Sequence, residues 1–428
     1  MALKAARTST EKAYLDHMLS WSKSLTSRIG DNGFLSASAT YSPYAPHWIR
    51  DASFVSIGLL DYAMFSRNSG LEWESAKSAA HRINVFHCNT IEKHMPEIEN
   101  AIRTRLEDPD FFKLKSHVPA RVGQDGGYYA DSAINDSYQK EGRSGLIQYD
   151  SIPLMMHALY TEHKYFGLDE TEKEFLGKNI EKLLHYLGKT YFTECANMWE
   201  METNVIHSYD VAAIYSAFEI AKKMSDEGLI QIKRQEIDSI SSAYFPGGPI
   251  EFLKKFFIRD NIIYREKASF AADPDISKSV DIAAIYLFTM FGINDKVLKM
   301  PGVEAATMSE IDKVLFSSNM LPIRFIGDEY FKGGRWLNVG AEFSKYLLSK
   351  GDDARAMGIV DYIIGKYGDK LPEQEIVNPA SPNAQDPYLS NNGNRPIDDL
   401  AWSYAAMLST VSYFLGNRMR ENAEIIRH

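Results

Sequence analysis

Five short segments of this 428-residue chain concentrate side chains able to do chemistry. They read Tyr44-Ala-Pro-His-Trp-Ile-Arg-Asp51, Gln148-Tyr-Asp150, Asn197-Met-Trp-Glu-Met-Glu202, Arg324-Phe-Ile-Gly-Asp-Glu-Tyr330 and Leu371-Pro-Glu-Gln374. Trp, Tyr, Arg, Asp and Glu recur together in them. That mixture suits a sugar: rings stack on its apolar C–H face, while carboxylates and guanidinium groups exchange hydrogen bonds with its hydroxyls. Cleaving a glycosidic bond also needs two carboxyl groups, one protonated to release the leaving oxygen and one ionised to activate water or to attack. Glu200 and Glu373 fit these roles best, because each sits beside aromatic or turn residues instead of on a solvated helix face.

Each segment alone has a plainer explanation. Trp48-Ile-Arg-Asp51 is also how a capped helix start with an Arg–Asp pair reads, and Leu371-Pro-Glu-Gln374 is also a surface turn. Asp210 and Asp281 read as helix caps rather than catalysts. His47 and His207 read as packing or hydrogen-bonding histidines, since no His-x-x-x-His or acid–His spacing accompanies either. No metal and no cofactor is therefore expected. Gly126-Gly127 and Gly333-Gly334 lack the surroundings of a phosphate loop, and the chain has no Gly-x-Ser-x-Gly elbow.

Helices must position these segments. Apolar residues recur at helical spacing over about 10–27, 51–66, 71–98, 149–166, 170–189, 206–223, 228–242, 277–291, 302–316, 336–350, 353–367 and 398–415, and β-alternation is scarce. Phe256–Arg265 reads as a short hairpin around Asp260-Asn261. Ser208-Tyr-Asp-Val-Ala-Ala-Ile-Tyr215 resembles Ser279-Val-Asp-Ile-Ala-Ala-Ile-Tyr286, with the aligned Asp residues 71 apart. Asp51, Asp150 and Asp399 also open apolar helices. Six helices beginning near 51, 150, 208, 279, 336 and 399 thus alternate with six others, the pattern of a closed ring of inner helices within outer ones. Ala212-Ala213, Ala283-Ala284 and Ala405-Ala406 would let inner helices pack closely. If the inner helices are parallel, the chemistry-bearing segments, each just before one of them, meet at one mouth.

Composition narrows the partners. There are 47 Lys and Arg against 57 Asp and Glu, a net charge of −10, so nothing favours binding to nucleic acid or to an anionic membrane. No apolar stretch approaches the ~18 residues of a membrane span, and Met1-Ala-Leu-Lys-Ala-Ala-Arg-Thr8 lacks a signal peptide's apolar centre. Two cysteines, Cys88 and Cys195, make no disulfide framework, which points to a cytoplasmic home. No Pro-, Gly- or Ser-rich linker divides the chain, so residues 1–428 are read as one domain. Aromatic residues make up 12% of it, enough for a large core or for a site walled by rings. Oligomeric state is left open.

In this order, the motifs resemble those of glycoside hydrolase family 15, the glucoamylase family. The family's Tyr-x-x-x-Trp-x-Arg-Asp block is matched by Tyr44, Trp48, Arg50 and Asp51, and its Asp-Leu-Trp-Glu-Glu block by Asn197-Met-Trp-Glu-Met201. Its Arg-Tyr-x-x-Asp-x-Tyr block with a following Gly-x-x-Trp is matched by Arg324 to Tyr330 and Gly333 to Trp336. Its Glu-Gln is matched by Glu373-Gln374, and its Asp-Leu-Thr-Trp-Ser-Tyr-Ala-Ala by Asp399-Leu-Ala-Trp-Ser-Tyr-Ala-Ala406.

The resemblance implies an all-α, (α/α)6 barrel and an inverting, exo-acting α-glucoside hydrolase acting on short oligosaccharides. Glu200 would be the general acid, held protonated by its neighbours, and Glu373 the general base. An inverting pair would stand about 6.5–9.5 Å apart. Tyr44, Trp48, Arg50, Asp51, Trp199, Arg324, Tyr330 and Trp336 would bind the terminal glucose. The alternative is a non-catalytic, glucan-binding or regulatory member of the same barrel class. Two departures bear on specificity: Met201 stands where the family carries a second acid, and a long Asn- and Pro-rich stretch, 375–397, follows the base. They favour a short α-glucoside, of isomaltose or malto-oligosaccharide type, over long α-1,4 chains.

Overall fold

The computed structural model of the chain describes residues 8–38, 44–106, 108, 117–127, 129, 147–200, 205–268, 279–328, 330, 333–375, 397 and 399–425. Helices dominate it: α1 (Ser9–Thr26), α2 (Ile49–Ser69), α3 (Glu74–Lys93), α4 (Met95–Arg103), α5 (Ser151–Phe166), α6 (Glu170–Thr190), α7 (Ser208–Asp226), α8 (Arg234–Ser242), α9 (Gly248–Phe257), α10 (Ile285–Thr289), α11 (Asp295–Leu298), α12 (Val303–Ile311), α13 (Leu337–Ser349), α14 (Asp353–Tyr367) and α15 (Ala401–Ile425). A 3-10 turn at Ile282–Ala284 leads into α10, and a π turn at Asp312–Phe316 follows α12. The strands are two or three residues each: β1 (His47–Trp48), β2 (Arg121–Val122), β3 (Val205–His207), β4 (Ile258–Arg259), β5 (Ile262–Ile263), β6 (Glu266–Ala268), β7 (Arg335–Trp336) and β8 (Gln374–Glu375).

Local chemistry explains most boundaries. Thr8 with Glu11 opens α1 and Asp169 with Glu172 opens α6, each pair capping the other's backbone N–H. The helix expected over 71–98 breaks at His94, because Pro96 in the first turn of α4 has no N–H to continue it. Gly228, at φ 74°, ends α7, so the next helix starts at Arg234 and not at 228. The stretch expected as helix over 277–291 is helical only from Ile282 to Thr289 among its described residues. α9 was not expected: Gly247-Gly248-Pro249 reads as a turn, yet its proline occupies the first helical turn, where a missing N–H costs nothing. The expected hairpin is β4–β5. Asp260 and Asn261 both adopt positive φ, 50° and 61°, as a two-residue turn between twisted strands requires.

The chain clusters into two compact units, one of Met1–Ala45, Phe54–Ile83 and Ile311–His428, the other of Pro46–Ser53 and Asn84–Glu310. In the first, α15 packs against α1 and α13, and α14 against α13. Gly58 lies so close to α15 that a Cβ there would sit 2.5 Å from the Ala405 carbonyl oxygen. Phe54 stacks on Trp402 at 4.4 Å between ring centroids. Strands β7 and β8 pair Trp336 with Gln374, which ties the segment before α13 to the segment carrying Glu373.

In the second unit, α5 and α9 pack on α7, and α6 on α4 and α8. Leu154, Leu183, Leu187, Val211, Ala212, Phe218 and Phe252 form its buried centre. β1 pairs with β2 and β3 with β6. Strands β1, β3 and β7 each end where a helix begins, so short ladders pin the segments that the sequence marks as chemical. Among the described residues no helix is long and apolar enough to cross a membrane.

Candidate active site

In the second unit the site is built around Arg50. β1 delivers it to the first turn of α2, where the Ile49 N–H donates to the Ala120 carbonyl. The Arg50 side chain is 3% exposed. Its Nη1 donates to Gln148 Oε1 at 2.9 Å and its Nη2 to Glu200 Oε1 at 3.0 Å. Carboxylate oxygens of Asp51 and Asp150 lie 3.5 and 3.7 Å from its nitrogens. Burial works hardest against the charge of Arg50, but Asp150, Asp51 and Glu200 outweigh it and hold the guanidinium firmly charged. The Trp48 ring is flanked by two guanidinium groups, Arg121 at 5.1 Å and Arg50 at 5.9 Å.

One cation among so many acids leaves protons behind. Burial raises the Asp51 carboxyl from 3.8 to about 6; Arg50 opposes this, while Glu200 and Asp150 add to it. Asp150 is also raised by burial. Burial and then the charge of Asp150 push Asp210 well up.

The segment bearing Glu200 is held by its own neighbours. Asn197 Oδ1 accepts from the Trp199 N–H at 2.8 Å, its carbonyl accepts from the Glu200 N–H at 2.9 Å, and Gln148 Nε2 donates to the same carbonyl at 3.2 Å. Glu200 adopts φ 61°, a conformation that a non-glycine residue keeps only where its surroundings impose it. Its side chain is 37% exposed. Trp199 is buried, and its indole N–H points at both carboxylate oxygens of Asp281, 3.0 Å from each. Asp281 also caps the 3-10 turn by accepting from the Ala283 N–H at 2.7 Å, as the sequence reading expects. His47 shares a 2.8 Å Nε2–Nε2 contact with His87, and burial lowers both rings well below the ordinary value. They are hydrogen-bonding residues.

In the first unit the site is built around Glu373, which is 2% exposed. Tyr44 Oη donates to Glu373 Oε1 at 2.9 Å and lies 2.9 Å from Tyr330 Oη, which itself donates to Glu373 Oε2 at 3.4 Å. The backbone is fixed as well: the Glu373 N–H donates to the Ile397 carbonyl, and the Leu337 N–H to the Glu373 carbonyl. Arg324 stands between the Tyr330 and Trp336 rings, its Cζ 4.8 and 4.9 Å from their centroids. Asp328 accepts from Arg324 Nε at 2.7 Å and from Nη2 at 2.5 Å. Burial works against the Arg324 charge, and Asp328 more than restores it.

The second unit thus brings together Trp48, Arg50, Asp51, Trp199 and Glu200, and the first brings together Tyr44, Arg324, Tyr330, Trp336 and Glu373. The sequence reading did not assign the partners that hold them. Gln148 and Asp328 lie within quoted motifs, one residue from Tyr149 and two from Tyr330, which is the signal that could have found them. Asp281 lies in the repeated Ser279–Tyr286 stretch, where the sequence marks it only as a helix cap. Met201, Glu202 and nearly all of 375–397 lie outside the described residues.

Comparison with known proteins bears on the family and the fold. The glycosyl hydrolases family 15 profile matches residues 12–321, a span that holds Tyr44 to Glu200 and ends before Arg324 and Glu373. A wild-type structure named simply a glycosidase superposes with TM-score 0.73 at 17% identity, covering 96% of this chain and 99% of that one. A variant glycosidase in complex with glucose matches with the same figures. The glucoamylase of Saccharomycopsis fibuligera matches with TM-score 0.58 at 14% identity, covering 96% of each chain. At these identities the likeness is one of fold, the all-α (α/α)6 barrel. Comparison with curated proteins gives no match.

Proposed function

This chain belongs to glycosyl hydrolases family 15, and from that premise we propose that it is an inverting, exo-acting α-glucosidase releasing β-glucose from the non-reducing end of short α-glucosides. Glu200 protonates the glycosidic oxygen. Glu373 takes a proton from a water on the opposite face of the sugar ring as that water attacks the anomeric carbon. Arg50 and Asp51 hold hydroxyls of the terminal glucose. Trp48, Trp199 and Trp336 supply ring surface, and Arg324 with Tyr330 supports the wall beside the base.

The setting of Glu373 carries this reading. A buried carboxyl group that accepts from Tyr44 and Tyr330, with the Arg324 guanidinium within electrostatic reach, is held in a fixed orientation in which it can accept a proton, as a base requires. A solved glycosidase of the same fold was captured with glucose, which supports a glucose-binding site. Met201 at the position next to the acid favours isomaltose or short malto-oligosaccharides over long chains, because a thioether accepts no strong hydroxyl hydrogen bond. The test is a glucose-release screen over maltose, isomaltose, trehalose, nigerose and maltotetraose. Release from isomaltose or maltose, lost in Glu200→Gln and Glu373→Gln, is expected. No release from any of them would refute the proposal, and a tenfold or greater preference for maltotetraose, about the discrimination one leaving-group hydrogen bond supplies, would refute the short-substrate part.

A further inference from the structure

We propose that Asp281 is a positioning residue for the general acid, acting on Glu200 through the indole N–H of Trp199; this rests on the assignment of Glu200 made above. A helix cap needs one side-chain oxygen, and Ser, Thr or Asn serves as well as Asp. Asp281 does more than that. Both of its oxygens lie 3.0 Å from Trp199 Nε1, across 82 residues of sequence, while one of them also caps Ala283. The guanidinium of Arg265 lies 3.4 Å from Asp281 Oδ2. Arg265 is itself fixed, its N–H donating to the Ser279 carbonyl and its own carbonyl accepting from the Ser208 N–H and Oγ. Asp281 and Trp199 are both buried, so the indole is aimed at a rigid acceptor.

Trp199 is bonded directly to Glu200. Its ring is anchored at Asp281 and its backbone N–H at Asn197, so the peptide leading into Glu200 has little freedom. That restraint explains how Glu200 keeps φ 61° and how its carboxyl stays 3.0 Å from Arg50 Nη2. Without the indole bond, Glu200 can relax toward negative φ, and the carboxyl moves with it. A displacement of about 1 Å in a proton donor costs up to about a hundredfold in turnover.

The experiment compares Asp281→Ser, Trp199→Phe, the double variant and Glu200→Gln with the native chain on two substrates. One is a disaccharide that the native chain hydrolyses, whose leaving sugar needs a proton. The other is α-glucosyl fluoride, whose fluoride departs with little proton assistance. Asp281→Ser keeps a capping oxygen, and Trp199→Phe keeps an aromatic ring but removes the indole N–H together with the pyrrole half of the bicycle. Each is expected to lower kcat on the disaccharide about tenfold to a hundredfold and to lose far less on the fluoride, and Asp281→Ser, which leaves the Trp199 ring in place, is expected to change KM by less than about threefold. The double variant should be no slower than the slower single, because one bond has been removed twice. The proposal is overturned if both singles keep kcat within about twofold, if the losses are equal on the two substrates, or if the two effects multiply. Glu200→Gln separates this outcome from the larger one. If that variant turns over the disaccharide normally, the acid itself is misassigned; if it is inactive there while the Asp281 and Trp199 variants are normal, only the present inference fails.

Discussion

Asp51 is held at a cost to stability, and the size of that cost follows from its surroundings. Its carboxyl is buried, its one cation is shared with Asp150 and Glu200, and it titrates at about 6 against an ordinary 3.8. A difference of that size corresponds to about 3 kcal/mol between the protonated and ionised forms. Because the folded value is raised, the unfolded chain ionises first. The penalty is absent below about pH 4, grows as pH rises through the window, and is complete above about pH 6. Asp51→Asn mimics the protonated form and escapes it.

The variant should therefore match the native chain in stability near pH 4 and exceed it by up to about 3 kcal/mol at pH 7.5. Its activity should fall there, since an amide accepts fewer hydroxyl bonds than a carboxylate. The assay is urea denaturation of both proteins at intervals from pH 4 to 8, with initial rates of glucose release alongside. A stability difference that does not change with pH would show that burial of the Asp51 charge is not the operative cost. A variant that is stabilised and fully active would instead show that Asp51 does not bind sugar.

Glu200→Gln and Glu373→Gln should each lower turnover at least about a hundredfold with the fold intact by circular dichroism, since each removes one proton-transfer partner. Tyr44→Phe removes the 2.9 Å donor to Glu373 and should slow turnover about tenfold to a hundredfold, with little change in Tm. Gly58→Ala places a methyl group 2.5 Å from the Ala405 carbonyl oxygen, so it should destabilise the protein by about 1–3 kcal/mol, seen in the unfolding midpoint, as α2 and α15 are forced apart.

The sequence shows where helices start better than how their loops are held. Apolar periodicity with an acid at the front located α2, α5, α7 and α15, the spacing between these located α13 near Trp336, and Asp260-Asn261 beside Ile262 and Ile263 located the β4–β5 hairpin. Periodicity alone missed the break at His94 and the start of α9, where proline chemistry overrides the apolar pattern. The candidate site shows the same division. Residue types and their order named Arg50, Asp51, Glu200, Glu373 and the rings around them. The bonds that fix these side chains join residues far apart in sequence. Tyr44 reaches Glu373 across 329 residues, and Asp281 reaches Trp199 across 82. No local pattern encodes such a pairing. Asp281 itself looks like a cap because it is one, and its second role appears only once the indole is in place.

The central claim is hydrolysis with inversion by Glu200 as acid and Glu373 as base. The most direct test is proton NMR of the anomeric signals in the first minutes of hydrolysis of isomaltose or maltose, before mutarotation mixes the anomers. The account predicts that β-glucose appears first and α-glucose grows only later; α-glucose as the initial product would contradict it, because a water activated by Glu373 on the face opposite the leaving group can give only the β anomer.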